Sequence, residues 1–260
     1  FDATTVVPAD ICAITPIAMD HAEFLGDTLE KVAMEKAGIM LPGVPVISSP
    51  QELDAKIVLS EEANERRCPL VFIDEPLKGY TIGLPGEHQK YNANLAVQTV
   101  HELGVPLNYD NVKNALEFVR WPGRFEQVGT LERPVVLDGA HNPQAAEALA
   151  ETWKEEYPKV QPTLIFGAVE CKDVSSVLEH CKSFAAEIIL TPIDSPRTLS
   201  VEGLKQALGE FSPVKEAKDL ADAWKLAAEG GRPILVAGSL FLIGQMKAMI
   251  DEGVFERSAQ

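Results

Sequence analysis

Val135-Val136-Leu137-Asp138-Gly139-Ala140-His141-Asn142-Pro143 is the stretch of this 260-residue chain that decides its fold. An apolar run that is mostly β-branched reads as a buried strand ending at Asp138. Asn142 then suits the cap of a helix and Pro143 its first turn, where a missing N–H costs nothing. A strand that runs through a tight junction into a helix is the repeating unit of a parallel α/β sheet. That junction accounts fully for Asn142 and Pro143. It does not account for Asp138 or His141, which project at the carboxyl edge of the strand, where open α/β sheets place their ligands.

The same alternation continues outward. Thr163–Ala168, Glu187–Thr191 and Ile234–Ala237 read as further buried strands. Pro143–Tyr157, Val174–Phe184, Val201–Leu208, Lys218–Ala228 and Leu240–Ile250 read as helices between and after them. Together they predict a Rossmann-like doubly wound domain. The first half offers strands at Ile11–Ala18, Val44–Ser48, Leu70–Ile73 and Tyr80–Gly83, with helices at Asp27–Ala37, Glu52–Ala63, Glu87–Leu103 and Asn111–Val119. With four strands after an abrupt start, it reads as the trailing part of a larger nucleotide-binding domain. The break at Trp121-Pro122-Gly123-Arg124 divides residues 1–121 from residues 122–260.

Composition narrows the function. The net charge of −16 argues against nucleic-acid binding, which needs clustered Lys and Arg. Apolar residues make up 46% with a mean hydropathy of zero, as in a soluble globular protein. No apolar run approaches the roughly 18 residues of a membrane span. The start, Phe1-Asp2-Ala3-Thr4, lacks a signal peptide's basic and apolar regions and has no Met, so the sequence reads as a portion of a longer product. The four cysteines contain no C-x-x-C and read as reduced thiols of a cytoplasmic protein. Cys171, His180 and Cys181 lack a fourth ligand at a sensible spacing for zinc.

Asp20-His21 falls at the end of the first predicted strand. Asp27 reads as the cap of the next helix, along which Leu29, Val32, Ala33 and Lys36 share one face. Burial would lower the pKa of Lys36 and leave an amine able to accept a modification. Alternatively, its stem packs while the ammonium reaches water.

Several motifs converge on one resemblance. Phe1-Asp2-Ala3-Thr4, Asp20-His21, Leu25-Gly26-Asp27-Thr28 and Glu35-Lys36-Ala37-Gly38-Ile39 in the first half are joined by Gly86-Glu87-His88-Gln89 with Asn92. Pro122-Gly123-Arg124, Asp138-Gly139-Ala140-His141-Asn142-Pro143 and Gly238-Ser239-Leu240-Phe241-Leu242-Ile243-Gly244 follow. From Phe1 to about Gln245 the chain resembles the folylpolyglutamate synthase/dihydrofolate synthase family, a branch of the Mur-type amide ligases. The resemblance implies the trailing part of a P-loop-type central domain followed by a carboxyl-terminal glutamate-binding domain. It makes His21 and a carbamylated Lys36 ligands of Mg²⁺, a hard ion suited to carbamate oxygens. It puts Gln89 and Asn92 on the adenine of ATP, Arg124 and Asp138 on the nucleotide, and His141 and Ser239 on the incoming glutamate. Lys36 and His141 are the catalytic candidates.

The implied reaction is phosphorylation of the folate γ-carboxylate by ATP, then attack by the amine of L-glutamate on the acyl phosphate, with dihydrofolate synthase activity as a possible addition. The implied state is a monomer. Two departures stand out: Thr15-Pro16-Ile17-Ala18-Met19 replaces the common Thr-Ser-Ile-Gly-Leu, and Glu170-Cys171-Lys172-Asp173 replaces a more basic run, so Lys172 and Asp173 are left out of the site. No Gly-Lys dipeptide occurs, so the chain contains no Walker loop and is expected to have little ligase activity alone. The alternatives are a cell-wall Mur-type ligase, or a non-catalytic nucleotide-binding module without the phosphate loop.

Overall fold

The structure, a computed structural model, describes residues 6–19, 28–130, 133–170 and 173–251. They form two compact units that divide between Val119 and Arg120, with Leu84–Gly86 counted in the second.

The first unit is built on a parallel sheet of order β1-β2-β3, formed by β1 (Cys12–Ile14), β2 (Val46–Ser48) and β3 (Leu70–Phe72). One face is covered by α1 (Leu29–Ala37) and α2 (Leu53–Glu65), which pack on each other. Their Val32, Ala33, Val58 and Leu59 close a core with Cys12, Ile14 and Val46. On the other face α3 (Glu87–Glu102) brings Leu95 against Ile47 and Ile73. The last helix, α4 (Tyr109–Phe118), buries no residue.

Three expectations for this unit need correction, and one pair of alternatives is decided. Tyr80–Gly83 is not a strand: the Gly83 N–H donates to the Leu116 carbonyl, and the Tyr80 ring packs on Tyr109, 5.2 Å between centroids. The cap of α1 is Thr28, whose hydroxyl accepts from the Lys31 N–H, while Asp27 lies outside the described residues. The spacing of Asn92, Ala96, Thr99 and Leu103 predicts that they share one packed face, but Ala96 and Leu103 are exposed and the buried residues of α3 are Gln89, Ala93 and Leu95. Lys36 is exposed, which agrees with the alternative that leaves its ammonium in water and not with burial of the amine.

The second unit is a sheet of order β4-β5-β9-β6-β7-β8. Its strands are β4 (Glu126–Gln127), β5 (Val135–Leu137), β6 (Thr163–Phe166), β7 (Glu187–Leu190), β8 (Val214–Glu216) and β9 (Ile234–Ala237). All pairings are parallel except β4 on β5. The helices are α5 (Pro143–Glu156), α6 (Val174–Lys182), α7 (Val201–Leu208), α8 (Leu220–Glu229) and α9 (Leu240–Asp251). Alternate strand residues face opposite sides: Val136, Leu164, Ile188 and Leu235 meet α5, α6 and α7. Val135, Ile165, Ile189 and Val236 meet α8 and α9. Sequence reading missed β4 and β8, since both are short edge strands with little apolar signal.

Chain order explains where a site can form. From β5 the chain moves through β6, β7 and β8, then returns to insert β9 between β5 and β6. Neighbours β5 and β9 therefore send α5 and α9 to opposite faces, which opens a crevice at their carboxyl ends. At the other end of the sheet, buried Glu187 pairs with Lys215 at 2.9 Å.

Gly238 ends β9 with φ +114, and a Cβ there would lie 2.6 Å from the Gly167 carbonyl oxygen. Gly238→Ala combines backbone strain with overpacking, and is expected to cost about 2–5 kcal/mol. The urea-unfolding midpoint of the second unit tests this, and an unchanged midpoint contradicts it.

Candidate functional site

The crevice of the second unit is organised by Asp138, which continues β5. Its Oδ1 accepts from the Ala140 N–H and its Oδ2 from the Phe125 N–H, both at 2.8 Å. Burial raises the carboxyl pKa above its ordinary value; these two N–H groups, then Arg124 and His141, pull it down. The loops are also tied by backbone: Gly139 N–H donates to the Gly123 carbonyl at 2.8 Å, and Gly238 N–H to the Ala140 carbonyl at 3.0 Å.

Arg124 sits on the turn that enters β4. A Cβ on Gly139 would lie 2.9 Å from Arg124 Nη1 and 2.3 Å from Leu240 Cδ2. The guanidinium thus rests on a glycine that leaves it room, beside the start of α9. Phe125 follows with φ +45, a strained conformation for a bulky residue. Its N–H bond to Asp138 and its ring contacts with Trp153 and Tyr157, at 6.1 and 6.2 Å, hold it there.

His141 Nδ1 lies 2.8 Å from the Gly139 carbonyl oxygen. A carbonyl only accepts, so Nδ1 carries the hydrogen of this bond. Asn142 caps α5, accepting from the Ala145 N–H at 2.8 Å, as the junction predicts. Ser239 is 3% exposed, and its Oγ accepts from the Phe241 N–H at 3.1 Å, which makes it a cap of α9. Arg124, Asp138, His141 and Ser239 therefore come together at one sheet edge.

The other candidates lie in the first unit. On α3, buried Gln89 accepts from Asn92 Nδ2 at 3.0 Å, and its Nε2 lies 3.0 Å from His88 Nε2. Lys36 stands exposed in the last turn of α1, and His21 lies outside the described residues. Among the described residues no group of three His, Cys, Asp or Glu could hold a metal ion. Lys36 as an amine is no ligand for a hard cation, so these residues do not by themselves fit Mg²⁺. Cys181, read above as a weak zinc candidate, is buried in the core with its thiol pushed up to about 12 by burial and by Asp138.

Sequence reasoning missed Phe125 and Glu126. Nothing in composition or spacing marks a phenylalanine at positive φ, or an acidic residue whose carboxylate serves a neighbouring backbone.

Comparison with known proteins agrees with this fold. Residues 123–240 match the model of the Mur ligase, glutamate ligase domain. The Bacillus subtilis dihydrofolate synthase/folylpolyglutamate synthase is 29% identical, over 95% of this chain and 64% of its own length. A Mycobacterium tuberculosis folylpolyglutamate synthase structure with ADP and AMPPCP superposes with a TM-score of 0.87 at 29% identity, over 95% of this chain and 65% of that one. A Yersinia pestis bifunctional enzyme complexed with AMPPNP and a Mn ion gives a TM-score of 0.84 at 25% identity, over 96% and 63%. The chain thus spans a little under two thirds of these relatives' length. Residues 123–240 are thus similar to a Mur ligase glutamate ligase domain, and nearly the whole chain is similar to folylpolyglutamate and dihydrofolate synthases.

Proposed function

We propose that the chain is part of an ATP-dependent amide ligase that joins L-glutamate to the γ-carboxylate of a folate. The observation that carries this is the placement of Arg124, Asp138 and His141 at the carboxyl ends of β5 and β9. The names of the homologues supply the substrate class: folate, glutamate and a nucleotide.

In this reading residues 1–121 belong to the ATP-binding domain and residues 122–260 form the glutamate-binding domain of a cytoplasmic, monomeric enzyme. Arg124 takes the phosphate oxygens, for which its planar fork is suited. It offsets negative charge as the phosphoryl group transfers to the folate carboxylate. Asp138 faces the nucleotide while keeping the Arg124 turn in place. His141, with Nδ1 tied to the Gly139 carbonyl, turns Nε2 toward the glutamate amine and holds it for attack on the acyl phosphate. The C–N bond forms as the C–O bond to phosphate breaks, and the amine's proton leaves with the phosphate, so the product is a γ-glutamyl amide. Ser239 acts by setting the start of α9, whose remaining N–H groups suit a carboxylate.

Gln89 and Asn92 are assigned to the adenine. Lys36 is assigned a carbamate, which turns an exposed amine into an oxygen donor for a divalent ion shared with His21. These 260 residues hold no Gly-Lys dipeptide, so activity is to be measured at the full length of the relatives.

Arg124→Ala is expected to lower kcat/KM for ATP by about 10- to 1000-fold with little change in thermal midpoint. His141→Ala is expected to raise KM for glutamate or lower kcat by about 10- to 100-fold while ATP binding persists. Wild-type values for both variants contradict the assignment. Isotopically labelled bicarbonate is expected to give a carbamate NMR signal that disappears in Lys36→Ala; no signal in the wild type contradicts the carbamate.

A further inference from the structure

The turn that presents Arg124 is held by a side chain that no role has yet claimed. Glu126, the first residue of β4, accepts from the Gly123 N–H through Oε2 at 2.8 Å. Its Oε1 is gripped by Lys247 Nζ of α9, on the last turns of the chain's described part. Glu126 and Lys247 are 24% and 34% exposed, so this ion pair is partly shielded from water.

Lys247 does not act alone. Leu240, Ile243 and Lys247 lie at i, i+3 and i+7 and share one face of α9. Leu240 borders Gly139, and a Cβ on Gly123 would lie 3.1 Å from Ile243 Cγ2 and 3.9 Å from Leu240 Cδ2. One helix face thus supports the turn below Arg124 at three points. From the other side, the Gly139 N–H holds the Gly123 carbonyl and Asp138 holds the Phe125 N–H. The residues flanking Arg124 are therefore fixed on both sides, while its guanidinium is left at the crevice.

We propose that Glu126 is a positioning residue for Arg124: its carboxylate, oriented by Lys247, fixes the Gly123 amide and with it the turn that aims the guanidinium. A displacement of about 1 Å in such a group can cost on the order of a hundredfold in rate, so a residue that touches no substrate can still control the reaction. The inference rests on the nucleotide role proposed for Arg124.

The test uses the full-length enzyme and four variants: Arg124→Ala, Glu126→Ala, Glu126→Gln and Lys247→Met. Glu126→Ala is expected to lower kcat/KM for ATP about five- to tenfold, leaving KM for glutamate and the thermal midpoint near wild type. Glu126→Gln keeps an oxygen for the Gly123 N–H and is expected to stay within about threefold of wild type. Lys247→Met is expected to fall between them. In amide hydrogen exchange, Gly123 is expected to lose protection in Glu126→Ala and retain it in Glu126→Gln. If Arg124→Ala lowers kcat/KM for ATP and Glu126→Ala does not, the positioning role is overturned while the reading of Arg124 stands. If Arg124→Ala itself leaves kcat/KM for ATP unchanged, the reading fails and the inference with it. A Gln variant as impaired as the Ala variant overturns the acceptor assignment.

Discussion

The parallel pairing of β5 with β9 is the constraint on which the rest of the second unit depends. Val135 pairs with Ile234 and Leu137 with Val236, so the two strands end side by side. Their helices then leave toward opposite faces, because α5 leads on to β6 and α9 follows a strand inserted from the other direction. Two loops are left facing one crevice, and the Gly238 N–H bond to the Ala140 carbonyl ties them together. His141 and Ser239 stand on the two loops that this bond joins. Close approach is possible because Gly139 and Gly238 have no side chain to place in it.

Within this frame, polar groups that might have served only a ligand also hold the protein together. Asp138 has both oxygens on backbone N–H groups, yet its burial favours the neutral acid. A carboxylate oxygen can accept more than one hydrogen bond, so structural and ligand roles are compatible. The strained Phe125 has the same logic. Its positive φ is maintained by Asp138 and by an aromatic cluster in which Trp153 is fully packed. Strain held in place by surroundings on both sides is characteristic of a site whose geometry matters.

Much of this was legible in the residues themselves. The run from Val135 to Pro143 carries its strand, its cap and its two unexplained polar side chains in order. The long buried helices α5 and α8 followed from their periodicity. What was not legible depends on tertiary context. Lys36 shares an angular sector with Val32 and Ala33, but periodicity cannot say that a four-carbon stem will carry its ammonium to water. Tyr80–Gly83 has the composition of a strand, yet its backbone is bonded to the end of α4. Ser239 is expected on the glutamate from the resemblance alone, whereas its hydroxyl accepts as a helix cap. Glu126 and Lys247 are far apart in sequence, so their ion pair leaves no local signal.

The central claim is that the carboxyl edge of β5 and β9 receives the nucleotide phosphates and the glutamate. Backbone amide chemical shifts, followed while an ATP analogue and L-glutamate are added to the full-length protein, test it most directly. The account predicts shifts concentrated in residues 123–125, 138–142 and 238–241. Shifts centred instead on the opposite edge of the sheet, around Glu187 and Lys215, would contradict it.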